Sequence, residues 1–226
     1  MKQIRDIGSM IFDLDGTLID SVPAYFALTE TILQRIGLPP APEQSITKVM
    51  IEGMDAVEEM IPGEMMHRRN ELIDRFIVEG RKALRQMFSN EIEPIPGITE
   101  LFSALSNRQI RIGLATSTHR RFMDLKLTPL ERIGLLDSIE AIVAIEDAPQ
   151  KKPAPDPLLA CALQLGHPPD RSVYVGDNRI DIQAGKAAGM MTIGVLTGLD
   201  DRETLKREDP TVIFESIADI TPLFMK

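Results

Sequence analysis

Two carboxylates, Asp13 and Asp15, stand two residues apart in "MIFDLDGTLIDS", at the end of an apolar run and directly before Gly16 and Thr17. Residues i and i+2 of a strand share a face. Ordinary turn chemistry accounts for an acid and a glycine at a strand end, but not for two acids on one side. Ionised together they repel unless a cation sits between them or one takes a proton. Such a pair can divide labour, one attacking an electrophile while the other serves the departing group. Gly16 and Thr17 let the chain turn away so that backbone N–H groups can face an anion.

Compatible chemistry recurs at three further places. "RIGLATST" closes on the hydroxyls of Thr116, Ser117 and Thr118, and "QKKPAPDP" sets Lys151 and Lys152 in a proline-rich loop. "SVYVGDNRID" ends a strand at Gly176 and Asp177, with Asp181 four residues on. Three acids are enough to hold a hard cation through oxygen, and Mg²⁺ suits such a site. A hydroxyl and a lysine ammonium suit phosphate oxygens.

The elements that must position these residues are legible from hydrophobic spacing. Strand-like runs are "DIGSMIFDL", "IRIGLATS", "AIVAI", "SVYVGD", "TIGVL" and "TVIF", and between them lie amphipathic stretches such as "ITELFSALSNR" and "DPLLACALQLG". Strand–helix alternation predicts an α/β fold, a Rossmann-like, mostly parallel sheet with right-handed crossovers. In such sheets ligands bind beyond the carboxyl ends of the strands, where all four clusters fall. One interval breaks the rhythm. From Ile19 to Glu93 the stretches "AYFALTETILQRIG", "SITKVMIEGMDAVEEMI" and "GEMMHRRNELIDRFIVEGRKALRQMF" all have helical spacing. Pro94 and Pro96 mark the return. The expectation is a helical subdomain, residues 19–93, inserted into a discontinuous core of residues 1–18 and 94–226. Asp20 and Ser21 stand at the entry to its first helix. Met50, Met54, Met60, Met65 and Met66 read as its adaptable core.

The chain has 226 residues, long enough for a full hydrophobic core, with 43% apolar and 26% charged residues. A formal net charge of −9 argues against nucleic-acid binding and obliges any anion site to supply its own positive charge. Cys161 is the single cysteine, so no internal disulfide is possible, and its place in a helical apolar stripe reads as buried filler. No segment has the pattern of a signal peptide or a membrane span. The expectation is a cytoplasmic protein with no membrane or nucleic-acid partner; monomer and dimer both fit. His67 and His167 read as surface or loop residues. His119, Arg120 and Arg121 follow the Thr116 cluster and read as a solvated first turn.

"DLDGTL", "ATS", "KKPAPDP" and "GDNRIDIQAGKAAG" resemble, in this order, the four motifs of the haloacid dehalogenase-like superfamily. The resemblance covers nearly the whole chain and puts the helical insertion where that superfamily carries its C1 cap. "GDNRIDIQAGKAAGM" is similar to the phosphoglycolate phosphatase-like branch in particular. By resemblance, Asp13 is the nucleophile that forms an aspartyl phosphate, and Asp15 is the general acid and base. Thr116 and Lys152 bind phosphate, Lys152 being the lysine directly before the proline, here Pro153; the neighbouring Ser117 or Thr118 could serve in place of Thr116, Ser117 through its backbone. Mg²⁺ is held by Asp13, the backbone carbonyl of Asp15, Asp177 and Asp181. The substrate is then a small phosphorylated metabolite and the reaction phosphomonoester hydrolysis.

Other branches fit less well. Phosphosugar mutases of the superfamily usually carry a histidine twelve residues after the nucleophile, where this chain has Tyr25, and a Glu-Asp pair in the fourth motif, where it has Gly176 and Asp177. Phosphonatases need a Schiff-base lysine in the cap, and only Lys48 and Lys82 lie in the interval. Dehalogenases proper lack the Asp13/Asp15 pairing. A non-catalytic phospholigand-binding module would usually have lost one of the motif acids. Phosphoglycolate phosphatases commonly follow the motif-two threonine with asparagine, whereas Ser117 stands here, and no charge pattern around Glu52, Gly53 and Met54 names a substrate. Gly53 suits a loop that approaches the pocket. The cap is expected to close over the site and exclude water.

Overall fold

A computed structural model describes residues 4, 6–52 and 54–225; Gly53 lies outside the described residues. All six strand-like runs form strands: β1 (Ser9–Phe12), β2 (Arg111–Ala115), β3 (Ala141–Val143), β4 (Ser172–Gly176), β5 (Met191–Val195) and β6 (Val212–Phe214). They make one sheet in the order β3-β2-β1-β4-β5-β6, and every pairing is parallel. β1 is shorter than its apolar run. Its four residues are all buried, as expected of a central parallel strand covered on both faces. Successive side chains of β1 diverge. Ile11 joins a buried cluster with Leu158, Cys161, Leu165, Tyr174 and Ala184, while the Phe12 ring meets Phe102 at 5.6 Å. The sheet is thereby covered on one face by α6 (Asp156–Gln164) and α7 (Arg179–Ala187), and on the other by α4 (Ile98–Asn107).

The strand order carries a functional consequence. The chain builds β1, β2 and β3 outward in one direction, then crosses back to lay β4 on the other side of β1. The C-terminal ends of β1 and β4 therefore flank the point where the order reverses, the usual place for a ligand in an open α/β sheet.

Residues 1–20 with 93–226 form one compact unit, and residues 21–92 a second. Ile19 and Asp20 belong with the sheet because Ile19 bridges to Asp15 and to Pro94, and Asp20 N–H donates to Glu93 O at 2.9 Å. The second unit holds α1 (Val22–Ile36), α2 (Glu43–Glu52) and α3 (Arg69–Asn90), with 3₁₀ segments Met54–Met60 and Gly63–Arg68. Two of the three stretches read as helical are thus interrupted or entered through 3₁₀ turns. Ser21 occupies the cap position of α1, and Gly37 ends that helix at φ 82°. Met60 is buried in this unit's own core beside Ile32, Leu33, Val57 and Phe76, and Met65 packs on it, while Met66 is exposed.

Cys161 is buried against β2, where burial pushes its thiol up to about 12, which fits filler rather than a nucleophile. A Cβ at Gly113 of β2 would lie 2.5 Å from Cys161 Sγ and 2.9 Å from Leu165 Cδ1. Gly113→Ala is therefore expected to cost ~1–3 kcal/mol in urea unfolding by overpacking. Cys161→Ala in the same chain should recover a measurable part, since both changes act on one contact. Strictly additive losses would show that α6 does not press on β2 here.

Candidate active site

The site is assembled at the C-terminal edge of β1 and β4. Asp13 follows β1 directly, and its N–H extends the ladder to Val175 O at 2.9 Å. The chain then folds back tightly, with the N–H groups of Thr17, Leu18 and Ile19 all donating to Leu14 O. Gly16 makes that turn at φ 75°, and a Cβ there would sit 2.8 Å from Asp177 Oδ2 and from Gly198 Cα. Glycine is needed at 16 for both its conformation and its lack of a side chain.

Asp177, one residue beyond β4, is buried and held on both oxygens. Thr17 Oγ1 donates to Oδ1 at 3.1 Å and Leu199 N–H to Oδ2 at 2.8 Å. Thr197 Oγ1 ties the same segment to Gly16 O at 2.6 Å. Asp181 is the third residue of α7, whose cap is Asn178. The Asn178 side chain accepts from the N–H groups of Ile180 and Asp181, and Asp181 Oδ2 accepts from Asn178 N–H at 3.3 Å. Asp181 is thus a capping-box acid and a site acid at once. It is fully buried, and a Cβ at Gly176 would lie 2.3 Å from Asp181 Cβ. The carboxylate at 181 and a side chain at 176 exclude one another.

One oxygen from each of Asp13, Asp177 and Asp181 falls within 4.8 Å of the others. Lys152 reaches into this group from the loop before α6. Its Nζ donates to Asp13 Oδ1 at 2.8 Å, to Asp181 Oδ1 at 2.7 Å and to Tyr174 Oη at 3.0 Å. Tyr174 in turn donates to Ala115 O at 3.0 Å. Asp13 Oδ2 receives no hydrogen bond from any described residue.

Three buried carboxylates against one ammonium leave two negative charges uncompensated when all are ionised. Burial, with Asp181 and Asp15 adding to it against the pull of Lys152, raises the Asp13 carboxyl from 3.8 to about 7. Burial and the charges of Asp181 and Asp13 likewise push Asp177 well above the usual carboxylate range. For Lys152, burial alone would lower the ammonium's pKa, but Asp13 and Asp181 outweigh it and hold it well above the usual lysine value. An all-oxygen donor set with an uncompensated charge of two fits a hard divalent cation.

Asp15 is placed differently. Its carboxylate is not in the three-acid group. Oδ2 pairs with Lys126 Nζ at 2.5 Å, with Thr118 Oγ1 at 3.5 Å. Thr116 N–H continues the sheet to Val143 O, and its buried hydroxyl meets Thr118 Oγ1 at 3.1 Å. Ser117 is half-buried beside it. His119, Arg120 and Arg121 are exposed, as a solvated first turn; within it His119 and Arg120 are paired with Glu146 and Asp147 of the segment after β3, and Arg121 lies over the Phe122 ring.

Lys126, Tyr174 and the 197–199 segment are parts of this edge that the motifs do not mark. Lys126 had one signal in the sequence. On α5 (Met123–Arg132) it falls on the stripe of buried Met123, Leu127 and Leu130, a charged residue at an apolar position.

The sequence profile of the haloacid dehalogenase-like hydrolases matches residues 10–195, and the chain belongs to that family. It is 30% identical over 247 residues to phosphoglycolate phosphatase of Escherichia coli K12, covering 98% of this chain and 94% of that one. A hydrolase from Pseudomonas syringae superposes with a TM-score of 0.75 at 27% identity, over 95% of this chain and 96% of the other. β-Phosphoglucomutase from Clostridium difficile shares the fold, at a TM-score of 0.72 and 20% identity over 96% and 97%.

Because folded Asp13 holds a proton that the unfolded chain releases, metal-free stability from this group is present below 3.8 and lost as pH rises to about 7. Asp13→Asn should therefore gain in Tm over the wild type, in EDTA, across that window. Adding Mg²⁺ should raise the wild-type Tm most at its upper end, since the ion requires deprotonated ligands. A Tm difference that stays flat with pH would contradict the raised Asp13 value.

Proposed function

We propose that this hydrolase is a Mg²⁺-dependent phosphatase, cleaving a small phosphate monoester through an aspartyl phosphate on Asp13. The observation that carries the reading is the buried convergence of Asp13, Lys152, Asp177 and Asp181 beyond β1 and β4. The relationship to phosphoglycolate phosphatase along nearly the whole chain supports a substrate of that size and class. The resemblance also supports a cap role for the helical insertion and, with the composition, a cytoplasmic setting.

In this reading the attack on phosphorus comes from Asp13 Oδ2, which has no donor among the described residues. As the ester P–O bond breaks and the Asp13–phosphorus bond forms, Asp15 gives its proton to the leaving oxygen. Asp15 then takes a proton from the water that cleaves the aspartyl phosphate. Lys152 and Thr116, with the Ser117 backbone, hold the phosphoryl oxygens and offset their developing charge. Asp13, Asp177, Asp181 and the Asp15 carbonyl would hold Mg²⁺, which when bound supplies charge neutralisation at those oxygens.

Two alternatives lose ground on specific observations. A mutase's glutamate at position 176 would collide with Asp181, and Tyr25 packs on Phe88 with ring centroids 6.0 Å apart instead of offering an imidazole. A phosphonatase would need a cap lysine as an amine nucleophile, but Lys48 is paired with Glu59 and Lys82 with Glu79 on exposed faces. A binding module has no need of a complete set of motif acids.

Phosphate release from phosphoglycolate, pyrophosphate, sugar phosphates and nucleoside monophosphates should require Mg²⁺, stop in EDTA, and fall at least ~10³-fold in Asp13→Asn. Turnover that survives Asp13→Asn would refute covalent catalysis at this residue. Retained ligand binding with no turnover by the folded wild type would favour the binding module.

A further inference from the structure

We propose that Lys126 is a positioning residue for Asp15, holding its carboxyl group in the orientation for proton transfer to the leaving group, and as the carboxylate thereafter. The inference rests on the phosphatase reading and deepens it. Asp15 sits on a turn outside the regular strand, where a short side chain has several staggered rotamers open to it. Its carboxylate Oδ2 takes the 2.5 Å ion pair from Lys126 Nζ and the long approach of Thr118 Oγ1. Only 15% of the Lys126 side chain and 23% of the Asp15 side chain remain exposed, so solvent competes weakly for the pair.

The anchor is itself fixed. Lys126 is carried on α5, beside the buried Met123, Leu127 and Leu130 of the same helix. Thr118, beside it, is held by the Thr116 hydroxyl and by Ile145 N–H, which donates to Thr118 O at 3.1 Å. Lys152 is committed to Asp13, Asp181 and Tyr174. The two acids of the first motif thus have separate cations, and the one on Asp15 comes from outside the motifs. Misplacing a reacting group by about 1 Å can cost ~10²-fold, so an anchor on Asp15 has a measurable kinetic role.

The test uses leaving groups. An alkyl phosphate needs its oxygen protonated as it departs, whereas p-nitrophenyl phosphate releases a stable phenolate without help. Wild type, Lys126→Met, Lys126→Arg and Asp15→Asn are compared in Mg²⁺ for kcat/KM on both esters, for inhibition by inorganic phosphate and for Tm. Lys126→Met should lose ~10–100-fold on the alkyl ester but less than ~3-fold on the aryl ester, a share of the ~10²–10⁴-fold typical of general acid catalysis. Lys126→Arg should regain most of the alkyl-ester activity, and phosphate inhibition should stay within about twofold. Should Lys126→Met melt below the assay temperature, Lys126→Gln carries the same comparison.

Equal losses on both esters would reduce Lys126 to a structural ion pair and overturn the inference. A matching loss of phosphate affinity would make it a substrate-anion contact and overturn it too. Leaving-group selectivity in Asp15→Asn but not in Lys126→Met would refute the positioning role alone. A folded wild type inactive on both esters would remove the phosphatase reading, and the inference with it.

Discussion

At the ends of β1 and β4, three carboxylates and one ammonium share a space from which water is largely excluded. Charge in such a space is tolerated only when paired. Lys152 satisfies part of the demand, and the remainder is what makes the site suited to a divalent cation. Much of the surrounding structure serves this constraint. Tyr174 rises from the core to meet Lys152 and Asp181, and Asn178 caps α7 so that Asp181 is held at a fixed point. Gly176 vacates the space that Asp181 fills, while Thr17 and Leu199 hold the two oxygens of Asp177.

The sheet order explains why these groups meet at all. Asp13 and Asp177 come from neighbouring strands far apart in the chain, and Lys152 is delivered by the crossover that carries the chain back past β1. Each strand ends on the same edge because all pairings are parallel. One strand direction thereby brings the residues of four local motifs to one sheet edge. The same edge separates the two acids of the first motif. Asp13 is drawn into the buried group with Lys152, and Asp15 is turned toward α5 and Lys126. The repulsion expected of acids two residues apart is relieved by two lysines on different elements, with any metal added to that arrangement.

How far the site was legible follows from which interactions are local. Asp13, Lys152, Asp177 and Asp181 announce themselves because each stands at a strand end or beside a turn, with glycine or proline punctuating the chain. Asp181 could equally be read as a first-turn acid, and it is one; that it also joins the acid group depends on the absent side chain at 176. Thr116 was legible as a strand-end hydroxyl. Lys126 showed only as a charge on an apolar stripe, and the Tyr174 hydroxyl and the 197–199 segment not at all, since their partners Asp15, Lys152, Asp177 and Gly16 belong to other elements that only the folded sheet brings near. In the helical unit, apolar spacing forecast helices but not the 3₁₀ turns that divide them, because i+3 and i+4 contacts share much of one periodicity.

By itself, the sequence determined the alternation of strands and helices, the helical insertion, and the types of group placed at the strand ends. Those follow from residue periodicity and from the backbone preferences of glycine and proline, which act over a few residues. Only the tertiary structure decided which oxygens come within reach of one another, which lysine serves which acid, and how far burial raises Asp13. These depend on distances set by strand pairing and on water exclusion by packed layers. Neither exists until the whole sheet has formed.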